Sequence, residues 1–220
     1  MKKILTTVAW VIFFIPGIYL FATWKNLPAS IPMHYNLDGE VDRFGNKNEL
    51  ALLVLILTVV NIGVYLLLTN VHRIDPKKYG LENKDRMQRM AITVSVFIAA
   101  LQCVFIYSSV NNVTDFIPGI IFSGVGLLFS FLGNYMYNIK PNYFAGFRLP
   151  WTLENETNWK KTHQLAGKLW FTGGILIALI SLFLSFKTSV IIFLIITAIL
   201  VIIPAVYSYR MYKKQKMHGN

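Results

Sequence analysis

The chain has 220 residues, of which 55% are hydrophobic, 15% aromatic and only 14% charged. A soluble domain carries roughly 25% charged residues, so this composition excludes a single soluble core. The formal net charge is +11. The distribution of the basic residues decides whether this charge indicates nucleic-acid binding or an orientation in a membrane.

Long apolar runs recur along the chain, each sufficient to cross a bilayer core of roughly 30 Å. They cover residues 4–24, 50–68, 90–110, 116–137, 165–186 and 189–209. The sequence therefore predicts an all-α polytopic membrane protein with six transmembrane helices. We divide it into a two-helix unit with an intervening motif loop (1–70), helices three and four (71–141), and a polar motif followed by helices five and six (142–220).

The positive charge lies mostly on one side of these predicted helices. All but four of the 21 Lys and Arg fall in the N-terminus, the 70–89 loop, the 138–168 stretch or the C-terminal tail. Basic loops favour the cytoplasm, which predicts that both termini are cytoplasmic and the 25–49 loop is extracellular. Topology and contact with anionic membrane lipids explain the net charge, so we expect no direct binding of nucleic acid.

The loop between the first two helices is the long polar stretch of the N-terminal third. Pro28 and Pro32 oppose a continuous helix and favour an extended chain. Gly39, at the end of Leu37-Asp38-Gly39, allows a tight turn because glycine adopts positive φ at little cost. These residues therefore predict a short hairpin-like loop between the two helices.

Two hairpin registers are open, and they differ in chemistry. A three-residue loop at residues 37–39 pairs His34 with Asp42 and Asn36 with Glu40, which places all four side chains on one face. A two-residue turn at residues 38–39 instead pairs His34 with Arg43 and moves Asp42 to the opposite face. We favour the first register.

This cluster supports an alternative hypothesis of a membrane enzyme. His34, Asp42, Glu40 and Asn36 are candidate ligands for a divalent metal, and His34 with Asp42 is a candidate general-base pair. A zinc site, however, usually needs three or more His, Cys or carboxylate ligands, and common hydrolase motifs are absent. We otherwise expect no cofactor. A transporter ranks third, because no charged residue lies deep in any predicted helix.

Polar and small residues inside the predicted helices indicate helix packing. Asn61, Gln102 and Asn134 are each expected to form hydrogen bonds between helices. Gly126, Ser130 and Asn134 recur every four residues, which predicts a face where another helix approaches closely.

The polar stretch before the fifth helix has its own helical pattern. Asn155 is suited to cap a helix whose first turn contains Glu156, and Glu156 and Lys160 are spaced for an ion pair. Trp159, His163 and Gly167 follow at four-residue steps along one face.

This stretch resembles the signature of the SdpI family of bacterial membrane immunity proteins. The resemblance rests on Gly146-Phe147-Arg148-Leu149-Pro150-Trp151-Thr152-Leu153, on Trp159-Lys160-Lys161-Thr162-His163 and on Ala166-Gly167-Lys168. The outer loop similarly resembles the domain of unknown function at the N-terminal end of such proteins, through Leu27-Pro28, Ile31-Pro32-Met33-His34-Tyr35-Asn36, Gly39, Asp42 and Gly45-Asn46-Lys47.

The resemblance implies a protein of the bacterial cell membrane that protects the cell from a secreted, membrane-active toxin peptide, the sporulation delay protein, without catalysis. It also implies signalling through capture of a cytoplasmic transcriptional repressor. The expected toxin-facing residues are Pro32, His34, Tyr35, Asn36, Gly39, Asp42 and Lys47. The expected partner-binding residues are Arg148, Pro150, Trp151, Trp159, Lys161, His163 and Gly167.

Overall fold

The computed structural model describes residues 2–113 and 117–218. The elements in chain order are α1 (Lys2–Thr23), a 3-10 turn (Trp24–Asn26), β1 (Ile31–Tyr35), β2 (Val41–Gly45), α2 (Lys47–Ile74), α3 (Gly80–Asn111), α4 (Ile117–Met136), α5 (Pro150–Glu154), α6 (Glu156–Ile180) and α7 (Phe186–His218).

Six helices among the described residues are long and apolar enough to cross a membrane, which confirms the predicted fold class. They are α1, α2, α3, α4, α6 and α7, while α5 has only five residues. Several extend beyond the apolar runs. For example, α6 begins at Glu156, well before residue 165, because Asn155 caps its first turn. The predicted boundary at Phe116 lies outside the described residues.

β1 and β2 form an antiparallel hairpin between α1 and α2, and its register is mainly the favoured one. Its backbone partners are Ile31 with Gly45, Pro32 with Phe44, and Tyr35 with Val41. The register is irregular on both sides of His34, whose Cα lies opposite Arg43, as in the alternative register. Proline has no N–H for the ladder, so an irregularity beside Pro32 is expected.

The closest packing in the bundle joins α4 to α6 through small residues. A Cβ on Gly133 would lie only 2.6 Å from the backbone nitrogen of Phe171, and one on Gly126 would lie 2.5 Å from that of Ala178. Ser130 donates a hydrogen bond to the carbonyl of Phe171 at 3.0 Å. The predicted close face is confirmed, with one correction at its end.

That correction concerns Asn134, which is exposed rather than bonded across the interface. A helix has 3.6 residues per turn, so the face that begins at Gly126 and Ser130 passes through Gly133 instead.

The predicted bonds between helices are found at the other two polar positions. The buried Asn61 side chain donates to the carbonyl of Ser95 at 3.1 Å, which joins α2 to α3. Thr58 of α2 donates to the Gln102 side chain of α3 at 3.2 Å. We call the end of the bundle that carries β1 and β2 the hairpin end, and the end that carries residues 138–163 the motif end.

Candidate functional site

The hairpin displays a polar cluster to its surroundings. His34 Nδ1 lies 2.6 Å from Asp42 Oδ1, and the Asn36 amide donates to Glu40 Oε2 at 3.2 Å. The two pairs are those of the three-residue-loop register. The side chains of His34 and Asp42 are 65% and 43% exposed, so the pair is accessible to a ligand without rearrangement.

Asn36 organises the hairpin turn. Its side-chain oxygen accepts hydrogen bonds from the backbone N–H of Asp38 at 3.0 Å and of Glu40 at 2.9 Å. Gly39 has φ = +88°, as predicted for this position. Asparagine commonly closes turns in this way, so the polar cluster stands on an ordered loop.

The base of the hairpin is anchored in a core at the hairpin end of α1, α2 and α3. Ile31 is fully buried and packs in a cluster with Leu20, Leu50 and Ile106. The ammonium of Lys47 donates to the carbonyl of Trp24 at 3.2 Å, and Arg43 forms an ion pair with Glu49.

Tyr35 belongs partly to this anchor. Burial raises the pKa of its hydroxyl, and the Ser108 side chain of α3 acts in the opposite direction. Of the residues expected to face a toxin, Tyr35 and Lys47 therefore contact the bundle, whereas His34 and Asp42 are exposed.

The tip of the hairpin reaches the C-terminal half of the chain. Asp38 Oδ1 and Lys187 Nζ are 2.9 Å apart. A Cβ on Gly39 would lie 3.2 Å from the Cβ of Phe186, the first residue of α7. Through these contacts the hairpin bridges the start of α7 and the helices that hold its base.

The candidate metal ligands do not form a larger set in the described residues. No group of three or more His, Cys, Asp and Glu side chains suited to a metal ion is found there. His34 and Asp42 form a close pair, and Glu40 contacts Asn36.

Trp159 and His163 form the buried centre of the motif end. Their rings stack with centroids 3.9 Å apart, and neither side chain is more than 1% exposed. The Trp159 indole donates to the carbonyl of Ile139 at 2.8 Å, which ties α6 to the chain that follows α4.

Both ring nitrogens of His163 have backbone partners, and these fix its tautomer. The N–H of Phe147 donates to Nε2 at 2.9 Å, so Nε2 is the acceptor. Nδ1 then carries the proton and donates to the carbonyl of Trp159 at 2.8 Å. His163 is therefore a neutral structural residue that holds the 145–149 loop against α6.

Two glycines make this close packing possible. Gly146 has φ = +104° and leaves no room for a side chain beside the His163 ring. A Cβ on Gly167 would lie 2.8 Å from the carbonyl oxygen of Gly133. Gly167 therefore serves the contact between α6 and α4 rather than a surface.

Asparagines that the sequence analysis did not single out hold the loop between α4 and α5. Asn142 accepts hydrogen bonds from the N–H groups of Phe144 and Ala145 and donates to the carbonyl of Lys140. Asn83 of α3 bonds both to the N–H and to the carbonyl of Lys140. The sequence feature that could have indicated this loop is Pro141-Asn142, a dipeptide of turn-forming residues.

Trp151 and Asn158 connect the motif end to α7. The Trp151 indole donates to the Ser208 hydroxyl at 3.0 Å, and its ring stacks on Tyr212 with centroids 5.8 Å apart. The Asn158 amide donates to the carbonyl of Ser208 at 3.0 Å. Trp151 is thus held by the bundle and not free at the surface.

Of the seven residues expected to bind a partner, Arg148, Pro150 and Lys161 are exposed. Lys161 borders a cavity of about 510 Å³ whose lining also includes Lys140, Lys160, Tyr79 and Glu156. The cavity therefore combines several ammonium groups with one carboxylate.

The expected ion pair between Glu156 and Lys160 is corrected by the structure. Among the described residues, Glu156 instead pairs with Lys78 at 3.1 Å. It also accepts a hydrogen bond from Tyr79 and thereby raises the pKa of that hydroxyl. Lys78, in the loop before α3, therefore lies beside Glu156, where Lys160 on the next turn of α6 was expected.

The structure therefore divides the residues singled out from the sequence into two separate groups at opposite ends of the bundle. It brings together His34, Asn36, Glu40 and Asp42 at one end, and Phe147, Trp159, His163 and Gly167 at the other.

Comparison with known proteins identifies two segments of the chain. Residues 138–208 match the SdpI/YfhL protein family, and residues 11–59 match the domain of unknown function DUF1648. Over 213 residues the chain is 23% identical to the "Immunity protein SdpI" of Bacillus subtilis (strain 168), covering 97% of each chain. No solved structure matches the chain. The chain therefore carries an SdpI/YfhL segment after a DUF1648 segment, and its six long apolar helices make it a multi-pass membrane protein.

Proposed function

We propose that this protein protects a bacterial cell against a secreted, membrane-active toxin peptide, and that the hairpin is the surface that meets the toxin. The similarity to an immunity protein along nearly the whole chain carries the proposal. The exposed hairpin supports it, because a peptide arriving from outside would find ordered polar groups on an anchored loop.

The proposed recognition surface combines polar and apolar groups. His34 and Asp42 provide the charged and hydrogen-bonding part, with Asn36 and Pro32 beside them. Leu37 and Phe44 are 67% and 57% exposed and offer apolar contact. Tyr35, Gly39 and Lys47 act by holding the hairpin in place. Exposed apolar side chains rimmed by polar groups are typical of binding surfaces.

A survival assay tests this surface directly. Cells that depend on this protein for protection are challenged with the sporulation delay protein toxin, and carry either His34→Ala or Asp42→Ala. Both variants should lose protection while reaching the membrane in normal amounts. Asn48→Ala, an exposed residue of α2 outside the cluster, serves as the control and should protect normally. Full protection by both cluster variants would contradict the proposed surface.

The proposal requires the hairpin to lie outside the cell and both termini in the cytoplasm. Single cysteines at Leu37 and Lys161 test this, in a chain whose one native cysteine, Cys103, is replaced by serine. A membrane-impermeant maleimide should label Leu37→Cys in intact cells and Lys161→Cys only after permeabilisation. The reverse pattern would overturn the proposed orientation.

We further propose that the motif end recruits a cytoplasmic transcriptional repressor when toxin is bound. Exposed Pro150 and Lys161 would form the contact, and Arg148 lies nearby in the chain. The lysines around the 510 Å³ cavity favour an acidic segment of the partner. Trp159, His163 and Gly167 shape this surface from within, and Trp151 ties it to α7.

Charge reversal separates this role from folding. Lys161→Glu should abolish recruitment of the repressor to membranes of toxin-treated cells. Lys168→Glu, on an exposed position of the same helix, should recruit normally. Equal recruitment by both variants would contradict a basic contact surface at the cavity.

A further inference from the structure

A second cavity at the motif end differs from the first in being almost entirely apolar. It has a volume of about 530 Å³ and lies between α3, α4, α6 and α7, below the 145–149 loop. Such a volume falls within the roughly 300–1,000 Å³ of small-molecule sites. Its apolar walls include Met90, Leu132, Met136, Phe147, Trp170 and Val201.

Arg148 is the one charged residue on the lining of the cavity. Arg148 Nη1 donates a hydrogen bond to the carbonyl of Tyr143 at 2.7 Å, and this bond holds the Arg148 side chain to the loop between α4 and α5. Arginine has five N–H donors. Within residues 2–113 and 117–218 no further hydrogen bond of Arg148 is recorded, so donors remain available to a ligand.

The bundle leaves a lateral approach to this cavity. In the described part of the chain α4 packs on α6 and α6 on α7, whereas α3 and α7 form no comparable interface. Val201, on the α7 side of the lining, is 44% exposed. An apolar opening between two membrane-crossing helices faces lipid tails.

We propose that this cavity binds one acyl chain of an anionic phospholipid, with the lipid phosphate against Arg148. An acyl chain fills an apolar space without burying polar groups, whereas a peptide segment would bring backbone N–H and C=O groups that the lining does not satisfy. A phosphate suits a guanidinium with free donors. The abundance of Lys and Arg around the motif end further favours an anionic headgroup over a zwitterionic one.

This inference goes beyond the proposed function and does not depend on it, because it needs no toxin and no repressor. It assigns Arg148 to lipid and leaves Lys161 for the proposed protein contact.

Native mass spectrometry of the purified full chain in detergent tests the proposal, with phosphatidylglycerol and phosphatidylcholine added separately. The wild-type protein should retain one phosphatidylglycerol in preference to phosphatidylcholine. Arg148→Gln should lower retention of phosphatidylglycerol by about five- to tenfold, because it removes one charged contact near the headgroups. Arg73→Gln, an equivalent change at an exposed position of α2, should retain it normally.

Ala205→Trp tests the cavity itself, since Ala205 is part of its lining. The added ring should fill the space and lower retention of both lipids. Unchanged retention of phosphatidylglycerol in Arg148→Gln would overturn the proposal. Unchanged retention in Ala205→Trp would also overturn it, because the chain would then lie outside the cavity. Arg148 is exposed, so its variant decides the question even where Ala205→Trp does not fold.

Discussion

The hairpin end and the motif end each contain a histidine, and the two histidines have different roles. Each centres on a histidine with a partner oxygen within 2.8 Å, yet His34 is exposed and His163 is fully buried. His34 pairs with a side chain on a neighbouring strand, while His163 joins two backbone segments. A histidine in a family motif is therefore not in itself a sign of a binding surface.

The cause of the difference is local architecture. A two-stranded hairpin has few side chains to cover its outer face, so its polar groups stay accessible. At the motif end, a loop folds over α6, and its backbone groups must find partners once they are buried. Asn142, Thr152 and His163 supply those partners.

The largest expected effect comes from forcing α4 and α6 apart near the motif end. Gly133→Val should lower the free energy of unfolding by about 3 kcal/mol or more, at the upper end of overpacking penalties, because its Cβ meets backbone atoms. The control is Gly63→Val in α2, where nothing lies within 4 Å of an added Cβ. Thermal unfolding in detergent measures both.

A Gly133→Val variant that melts at the wild-type temperature would show that the two helices are not in close contact there. Equal destabilisation by both glycine variants would attribute the effect to helix propensity alone.

A smaller effect compares the two histidines. His163→Ala should lower stability by about 2 kcal/mol, because it leaves the partly buried N–H of Phe147 without its acceptor. His34→Ala should cost no more than about 1 kcal/mol, as expected for an exposed pair. The same unfolding experiment serves, and similar losses in both variants would erase the distinction between the two ends.

The smallest effect concerns the contact between the hairpin tip and α7. Asp38→Ala removes the partner of Lys187, so amide exchange in residues 36–40 should accelerate, by less than about fivefold for an exposed pair. Hydrogen exchange with mass spectrometry of the intact protein measures this, and the buried Ile31 region acts as internal control. Slower exchange in the variant would count against a tethered tip.

Much of the fold was predictable because it depends on composition and short-range pattern. The six membrane-crossing helices follow from long apolar runs, and the contacts of His34 with Asp42 and Asn36 with Glu40 follow from alternation around Gly39. The cap at Asn155 is equally local, since its side chain accepts from the N–H of Asn158, three positions further along the chain.

The arrangement of the motif end was less predictable because its contacts are distant in sequence. Asn83 meets Lys140, and Asn158 meets Ser208. Spacing along one helix likewise suggested Lys160 as the partner of Glu156, whereas Lys78 is brought there by a different loop. No periodicity within a segment carries this information.

The hairpin tip has a consequence for exchanging parts between relatives. The segments 11–59 and 138–208 are recognised separately, yet Asp38 and Gly39 of one touch Lys187 and Phe186 of the other. In a chimera that takes its two segments from different parents, the residues on the two sides of this contact would no longer match. Moving the hairpin from one relative to another would therefore require the start of α7 to be moved with it.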